Sequence, residues 1–151
     1  MVRPPSTGNS PTEPYTQTWL AGAVSLAAAV VLGAFGAHAL KDALPAERLV
    51  SFETANRYHF YSCFFLFALA SLRDRLATDG AASKRLTIAQ AAWGWGTVVF
   101  CGSVYLVAVR DLLGVPSASW LGAVAPLGGI GLIVGALLTA SAVWGARRAT
   151  R

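Results

Sequence analysis

Two histidines carry most of the chemistry this sequence could perform. His38 and His59 are the chain's only imidazoles, and two histidines from different helices can ligate haem iron. Glu53, Arg57, Tyr58 and Tyr105 are expected near them in depth. The six residues therefore form one candidate polar cluster, placed by the sequence at the outer mouth of a helix bundle. Such a mouth could hold a haem, a metal or a quinone. The simpler reading is that each histidine makes a hydrogen bond at the membrane interface. Helical geometry supports it for His38. At about 100° per residue, His38 projects roughly opposite a stripe of small residues: Gly22, Ser25, Ala29, Gly33 and Gly36.

Other chemistries lack their residues. Zinc would need a third histidine or a second carboxylate beside the pair. Cys63 and Cys101 both fall in apolar stretches, outside any C-x-x-C pair or metal-ligand spacing, and read as small packing residues. Gly33-Ala-Phe-Gly36 and Leu127-Gly-Gly-Ile130 lie in apolar helical sequence, not in a phosphate loop after a strand. No Asp, Glu, Lys or Arg falls deep in a confident span, which argues against a proton-coupled exporter or a carboxylate-based hydrolase. A polar path could use only Ser25, Thr97, Ser103 and Thr139, and hydroxyls in spans commonly bond their own helix backbone. No catalytic residue, metal site or cofactor is assigned.

The elements that must position these residues follow from charge distribution. Of 151 residues, 55% are hydrophobic and 13% charged, against about 25% charged in a soluble domain. Four stretches hold no Asp, Glu, Lys or Arg: Pro14–Leu40, Tyr58–Leu72, Leu86–Val109 and Leu112–Ala146, together 101 residues. That excludes a soluble globular domain and a disordered chain. A span needs about 20 residues. The expectation is an all-α integral membrane four-helix bundle, with spans at about 19–40, 58–76, 88–109 and 125–145. An amphipathic interfacial segment, 46–57, precedes the second span. There Pro45 can open a helix and Glu47 suits its first turn. Phe52, Ala55, His59, Ser62 and Leu66 recur on one face, and Glu53 and Arg57 form an i,i+4 pair near the other side. Phe60, Phe64 and Phe67 should face lipid or fill an interhelix gap.

Residues 1–18, with Pro4, Pro5, Pro11 and Pro14, read as a disordered tail, and 147–151 as a basic one. Ala37-His-Ala39 imitates a signal cleavage site, but the apolar run is long and its tail carries only Arg3, so a retained helix is expected. The net charge is +5. Eight basic residues fall on the side of the termini and four on the other, which places both termini in the cytoplasm. No basic run is interleaved with aromatics, so no nucleic-acid partner is expected. Trp19, Trp120 and Trp144 fall near span ends, where indoles suit the headgroup level. Small residues should let helices approach closely: the span-one stripe, Gly94, Thr97 and Cys101 in span three, and Gly128, Gly131, Gly135, Thr139 and Ala142 in span four.

Four segments in order carry a family resemblance: Gly33-Ala-Phe-Gly-Ala-His-Ala-Leu40, Phe52-Glu-Thr-Ala-Asn-Arg-Tyr-His-Phe-Tyr61, Gly96-Thr-Val-Val-Phe-Cys-Gly-Ser-Val-Tyr105 and Ala125-Pro-Leu-Gly-Gly129. Over about residues 19–146 the chain resembles the YgdD-like inner-membrane proteins. These are the domain-of-unknown-function family 423, or uncharacterised protein family 0382, to which vertebrate transmembrane protein 256 is similar. The resemblance implies a small multi-pass protein of the bacterial inner membrane and implies no reaction. Family members often carry a histidine where this chain has Ser62, which weakens a histidine-based site.

The functional expectation is a non-enzymatic membrane subunit, assembly partner or lipid-interacting bundle. The alternatives are a small-solute transporter or pore and a haem- or quinone-linked redox protein. The expected partners are the lipid bilayer and a membrane protein or second copy.

Overall fold

The computed structural model describes residues 13–76 and 78–149. They form four long helices and, among the described residues, no strand: α1 (Glu13–His38), α2 (Ala46–Arg75), α3 (Gly80–Val109) and α4 (Ala125–Ala149), with a short 3-10 stretch at Pro116–Ala123 before α4. The chain is thus an all-α membrane bundle. Thr16–His38, Gly80–Val109 and Pro116–Arg148 are long and apolar enough to cross a bilayer. By that test α2 is not, its N-terminal half being rich in polar and charged residues, Glu47, Arg48, Glu53, Asn56, Arg57 and His59 among them.

The helix ends follow local chemistry. Helix α1 begins at Glu13, so residues 13–18, expected as tail, are helical. Pro14 permits this, since a first-turn proline loses no helical hydrogen bond. Thr18, fully buried, is tied to α3 through Gln90. The rest of that expected tail, 1–12, lies outside the described residues, as do 150 and 151 of the basic one. Helix α2 follows Pro45 without a break, so 46–57 and the second span are one continuous helix. Helix α3 starts well before the expected 88, because Asp79 accepts from the Ala81 and Ala82 amides at 3.0 Å. Gly114, at φ 70°, makes the left-handed turn before the 3-10 stretch, a conformation that glycine adopts without Cβ strain.

Consecutive helices pack: α1 on α2, α2 on α3, and α3 on α4. One apolar cluster sits toward the termini, where Leu69, Leu86, Ala89 and Ala142 meet. Another closes the far end, where Leu40, Leu44, Phe52 and Ala108 meet. There Arg48 donates to the Val107 carbonyl at 2.7 Å and pairs with Asp111 at 2.9 Å.

The glycines show where backbones touch. A Cβ on Gly96 would lie 2.7 Å from the Leu132 amide nitrogen, and one on Gly131 would lie 2.9 Å from Gly96 Cα. Gly128 meets the Phe100 backbone, and Gly135 meets the Ala89 carbonyl. The α4 stripe therefore serves α3–α4 packing. On α3 the contact glycine is Gly96; Gly94, expected in that role, has nothing within 4 Å. On α1, Gly22 receives the Phe67 ring and Gly36 the Phe52 ring, while Phe64 points outward.

Candidate functional site

Polar side chains meet between α1, α2 and α3. His59 Nε2 lies 2.9 Å from Ser25 Oγ, and His59 Nδ1 lies 3.5 Å from the Tyr105 hydroxyl. Asn56 Nδ2 donates to the Ala29 carbonyl at 2.8 Å and to the Tyr105 oxygen at 3.0 Å. Cys63 Sγ reaches Ser25 Oγ at 3.4 Å. The local reason is helical spacing: Asn56, His59 and Cys63, at steps of three and four, lie on neighbouring positions of α2. Their common level is set by Ser25, which stands halfway along α1, about 20 Å from His38 at ~1.5 Å per residue.

This corrects the expected depth of His59. The sequence reading puts it beside His38 at the outer mouth, because it starts the second span at about 58. With α2 continuous from Ala46, His59 lies well inside its helix and faces the middle of α1. Among the six candidates, the structure brings His59 and Tyr105 together. His38 is exposed on α1. Glu53 and Arg57 are exposed on another face of α2, along a groove shared with α1. Tyr58 is also exposed and packs on Tyr61 and Phe100. The two histidines are thus not paired for a shared iron. Among the described residues no three of His, Cys, Asp and Glu gather where a metal could sit.

Ser25, Asn56 and Cys63 complete the cluster and were missed as site residues. Ser25 reads from sequence as a small packing residue or as lining for a polar path, Cys63 as a small packing residue, and Asn56 carries no role there beyond the family motif. A usable signal was present: an amide on the apolar side of α2, one turn before His59. The other membrane hydroxyls behave as their type suggests. Thr97, Ser103 and Thr139 bond carbonyls of their own helices, so none of them extends a polar path from the cluster. Ser62 is buried, and its hydroxyl has no hydrogen-bond partner among the described residues.

The cluster opens onto a hollow of about 370 Å³ between α1 and α3, floored by α2. Ser25, His59, Thr97, Cys101 and Tyr105 line it with apolar neighbours. Gly94 and Gly102 also line it, and a side chain on either would enter open space. Toward the termini lies a second hollow, of about 570 Å³, which shares Gly94 and Val98 with the first. Its walls include Gln17, Arg73, Thr87 and Gln90. Arg73 donates to Gln90 and to Thr87 Oγ1, and Thr18 donates to Gln90 Oε1 at 2.9 Å. The two hollows adjoin at Gly94 and Val98; the one toward the termini is cationic and amide-lined, and the other is mostly apolar.

A continuous hairpin stack of apolar helices, tied by a few internal hydrogen bonds, defines a small multi-pass α-helical membrane protein. The chain belongs to the DUF423 family of proteins of unknown function, whose match covers residues 32–129. It is 37% identical over 117 residues to the UPF0382 membrane protein YwdK of Bacillus subtilis (strain 168), covering 75% of this chain and 84% of that one. It is 34% identical over 122 residues to a UPF0382 membrane protein of Staphylococcus saprophyticus, covering 78% and 88%. No solved structure matches the chain.

Proposed function

We propose that this protein is a non-enzymatic, lipid-interacting bundle of the bacterial inner membrane, holding one phospholipid-like molecule in the α1–α3 groove. The observation that carries the reading is the polarity of that groove. The Arg73 guanidinium, with Gln17, Thr87 and Gln90 beside it, suits an anionic headgroup. Beyond it, Gly94, Val98 and Cys101 leave an apolar trough that suits an acyl chain. His59 and Ser25, bonded to each other, close its floor. Ser25 Oγ and His59 Nε2 lie 2.9 Å apart within a largely apolar lining, and that lining supports binding of an apolar chain.

Native mass spectrometry of protein extracted in mild detergent tests this. The wild type is expected to carry a stoichiometric lipid mass. Gly94→Leu and Gly102→Leu are expected to lose it while keeping the wild-type melting temperature, because both line the groove and a Cβ at either position has nothing within 4 Å. A lipid-free wild type, or a Gly94→Leu, Gly102→Leu chain that keeps its lipid, would refute the reading.

We further propose that both termini face the cytoplasm, supported by the eight-to-four basic asymmetry. An enzyme reporter that is active only in the periplasm should stay silent when fused after Arg151. The same reporter should become active when placed in the 110–124 connection. The reverse pattern would overturn the orientation.

A further inference from the structure

The groove described above leaves one charged surface of the molecule unused. Glu53 and Arg57 are exposed and line a separate hollow of about 350 Å³ between α1 and α2, beside Gly33 and Gly36. Those glycines belong to the apolar stretch Thr16–His38. The two charges therefore stand alongside a membrane-spanning segment, not beyond its end. Ionised side chains at such depth are costly and are normally paired. They are four residues apart in the favourable order for an ion pair within one helix. Yet among the described residues no ion pair or hydrogen bond joins them, and neither has another such partner. On the helical wheel they point about 120° and 160° away from His59, so the α1–α3 groove does not reach them.

The same face has a regular spacing. Val50, Thr54, Arg57, Tyr61, Phe64 and Ala68 follow one another at steps of four, three, four, three and four. That is the a/d seam of a heptad repeat, the pattern by which two helices pack side by side. Val50, Tyr61 and Phe64 are each more than half exposed, and Glu53 flanks the seam. Among the described residues no other helix covers Val50, Tyr61 and Phe64, and a seam so exposed asks for one.

We infer that this seam of α2 is the interface for a second copy of the chain, with Glu53 of each copy paired to Arg57 of the other. Charge complementarity selects that occupant. The seam carries one acid and one base at neighbouring levels, so it complements itself under a two-fold axis. Two copies inserted with the same orientation have such an axis along the membrane normal. Glu53 and Arg57 then differ in height by only about 6 Å, at ~1.5 Å per residue, which an arginine side chain spans. The inference is independent of the lipid-binding reading, because it uses a different face and different residues.

The test uses the full chain in lipid bilayers, with self-association read by energy transfer between donor- and acceptor-labelled copies. Wild type is expected to pair. Glu53→Arg alone and Arg57→Glu alone should each weaken pairing by about tenfold or more, since each sets like charges opposite one another. Mixing the E53R chain with the R57E chain should restore transfer, because one then presents two bases and the other two acids. Pairing within one chain could not give that recovery. In parallel, Tyr61→Cys and Ala68→Cys in a cysteine-free background should crosslink between copies, while Leu137→Cys on exposed α4 should not. A wild type that stays monomeric as its density rises would overturn the inference. So would single charge variants that pair as well as wild type, or a mixture that fails to recover.

Discussion

Gly131→Leu is expected to abolish the α3–α4 contact and leave almost no folded protein after extraction. The atoms facing Gly131 are the Gly96 Cα at 2.9 Å and the Ala92 carbonyl at 3.0 Å from where a Cβ would stand. Both belong to backbone, so no flexible side chain can swing aside. Overpacking commonly costs about 1–3 kcal/mol, occasionally more. Here the whole helix pair must separate, and in lipid no general hydrophobic drive restores it. Gly135→Leu should act similarly, against the Ala89 carbonyl and the Trp93 backbone. The control lies two residues from the first site. Gly129 has nothing within 4 Å of an added Cβ, and Gly129→Leu should behave as wild type. Thermal melting and size-exclusion profiles in detergent measure all three. Equal stability of the Gly131 and Gly129 variants would contradict the close-approach account of this interface.

Asn56→Leu should give the largest loss among the polar residues. One amide group links three helices, donating from α2 to the Ala29 carbonyl of α1 and to the Tyr105 oxygen of α3. Measured interhelical hydrogen bonds in membranes average about 0.6 kcal/mol and reach about 1.7. Losing two together is expected to cost roughly 1–3 kcal/mol on that scale. Shape adds to it. The Asn56 Oδ1 sits 2.9 Å from an ideal Cβ on Gly33, so branched leucine methyls would press on α1. Tyr105→Phe removes a hydroxyl at the edge of the same network and should cost less. Melting temperatures in one detergent should therefore fall in the order wild type, Tyr105→Phe, Asn56→Leu. A Tyr105→Phe chain less stable than Asn56→Leu would show that the tyrosine, not the amide, holds the cluster.

The architecture was open to reading from charge-free runs alone, because crossing a bilayer demands length and apolarity, and both are properties of composition. The α4 glycine stripe was readable for the same reason, since Gly128, Gly131 and Gly135 share a face at three- and four-residue spacing. The extent of α2 was harder to see. Its charges suggest a segment that lies at the interface before the second span, whereas packing against α1 and α3 keeps Ala46–Arg75 one unbroken helix. That one difference moved His59 from the outer rim to the level of Ser25. The choice of Gly96 over Gly94 was hidden as well. Both are glycines on one helix, and only the rotational setting of α3 decides which meets α4 and which borders open space. The cluster's remaining members, Ser25, Asn56 and Cys63, come from two helices, and periodicity within one helix cannot report the register between two.

The pairwise order of packing also has a temporal side. Each helix packs mainly on the one made just before it, and only a few ties, such as Thr18 to Gln90 and Asn56 to Tyr105, wait for α3. Chains dominated by such short-range pairings bring few distant segments together and form their contacts quickly. Helix α2 can settle on α1 and then receive α3, and the glycine face of α3 stays uncovered until α4 arrives. The last hairpin is therefore the most exposed stage of biogenesis. A lesion at Gly131 strikes after three quarters of the structure has already formed.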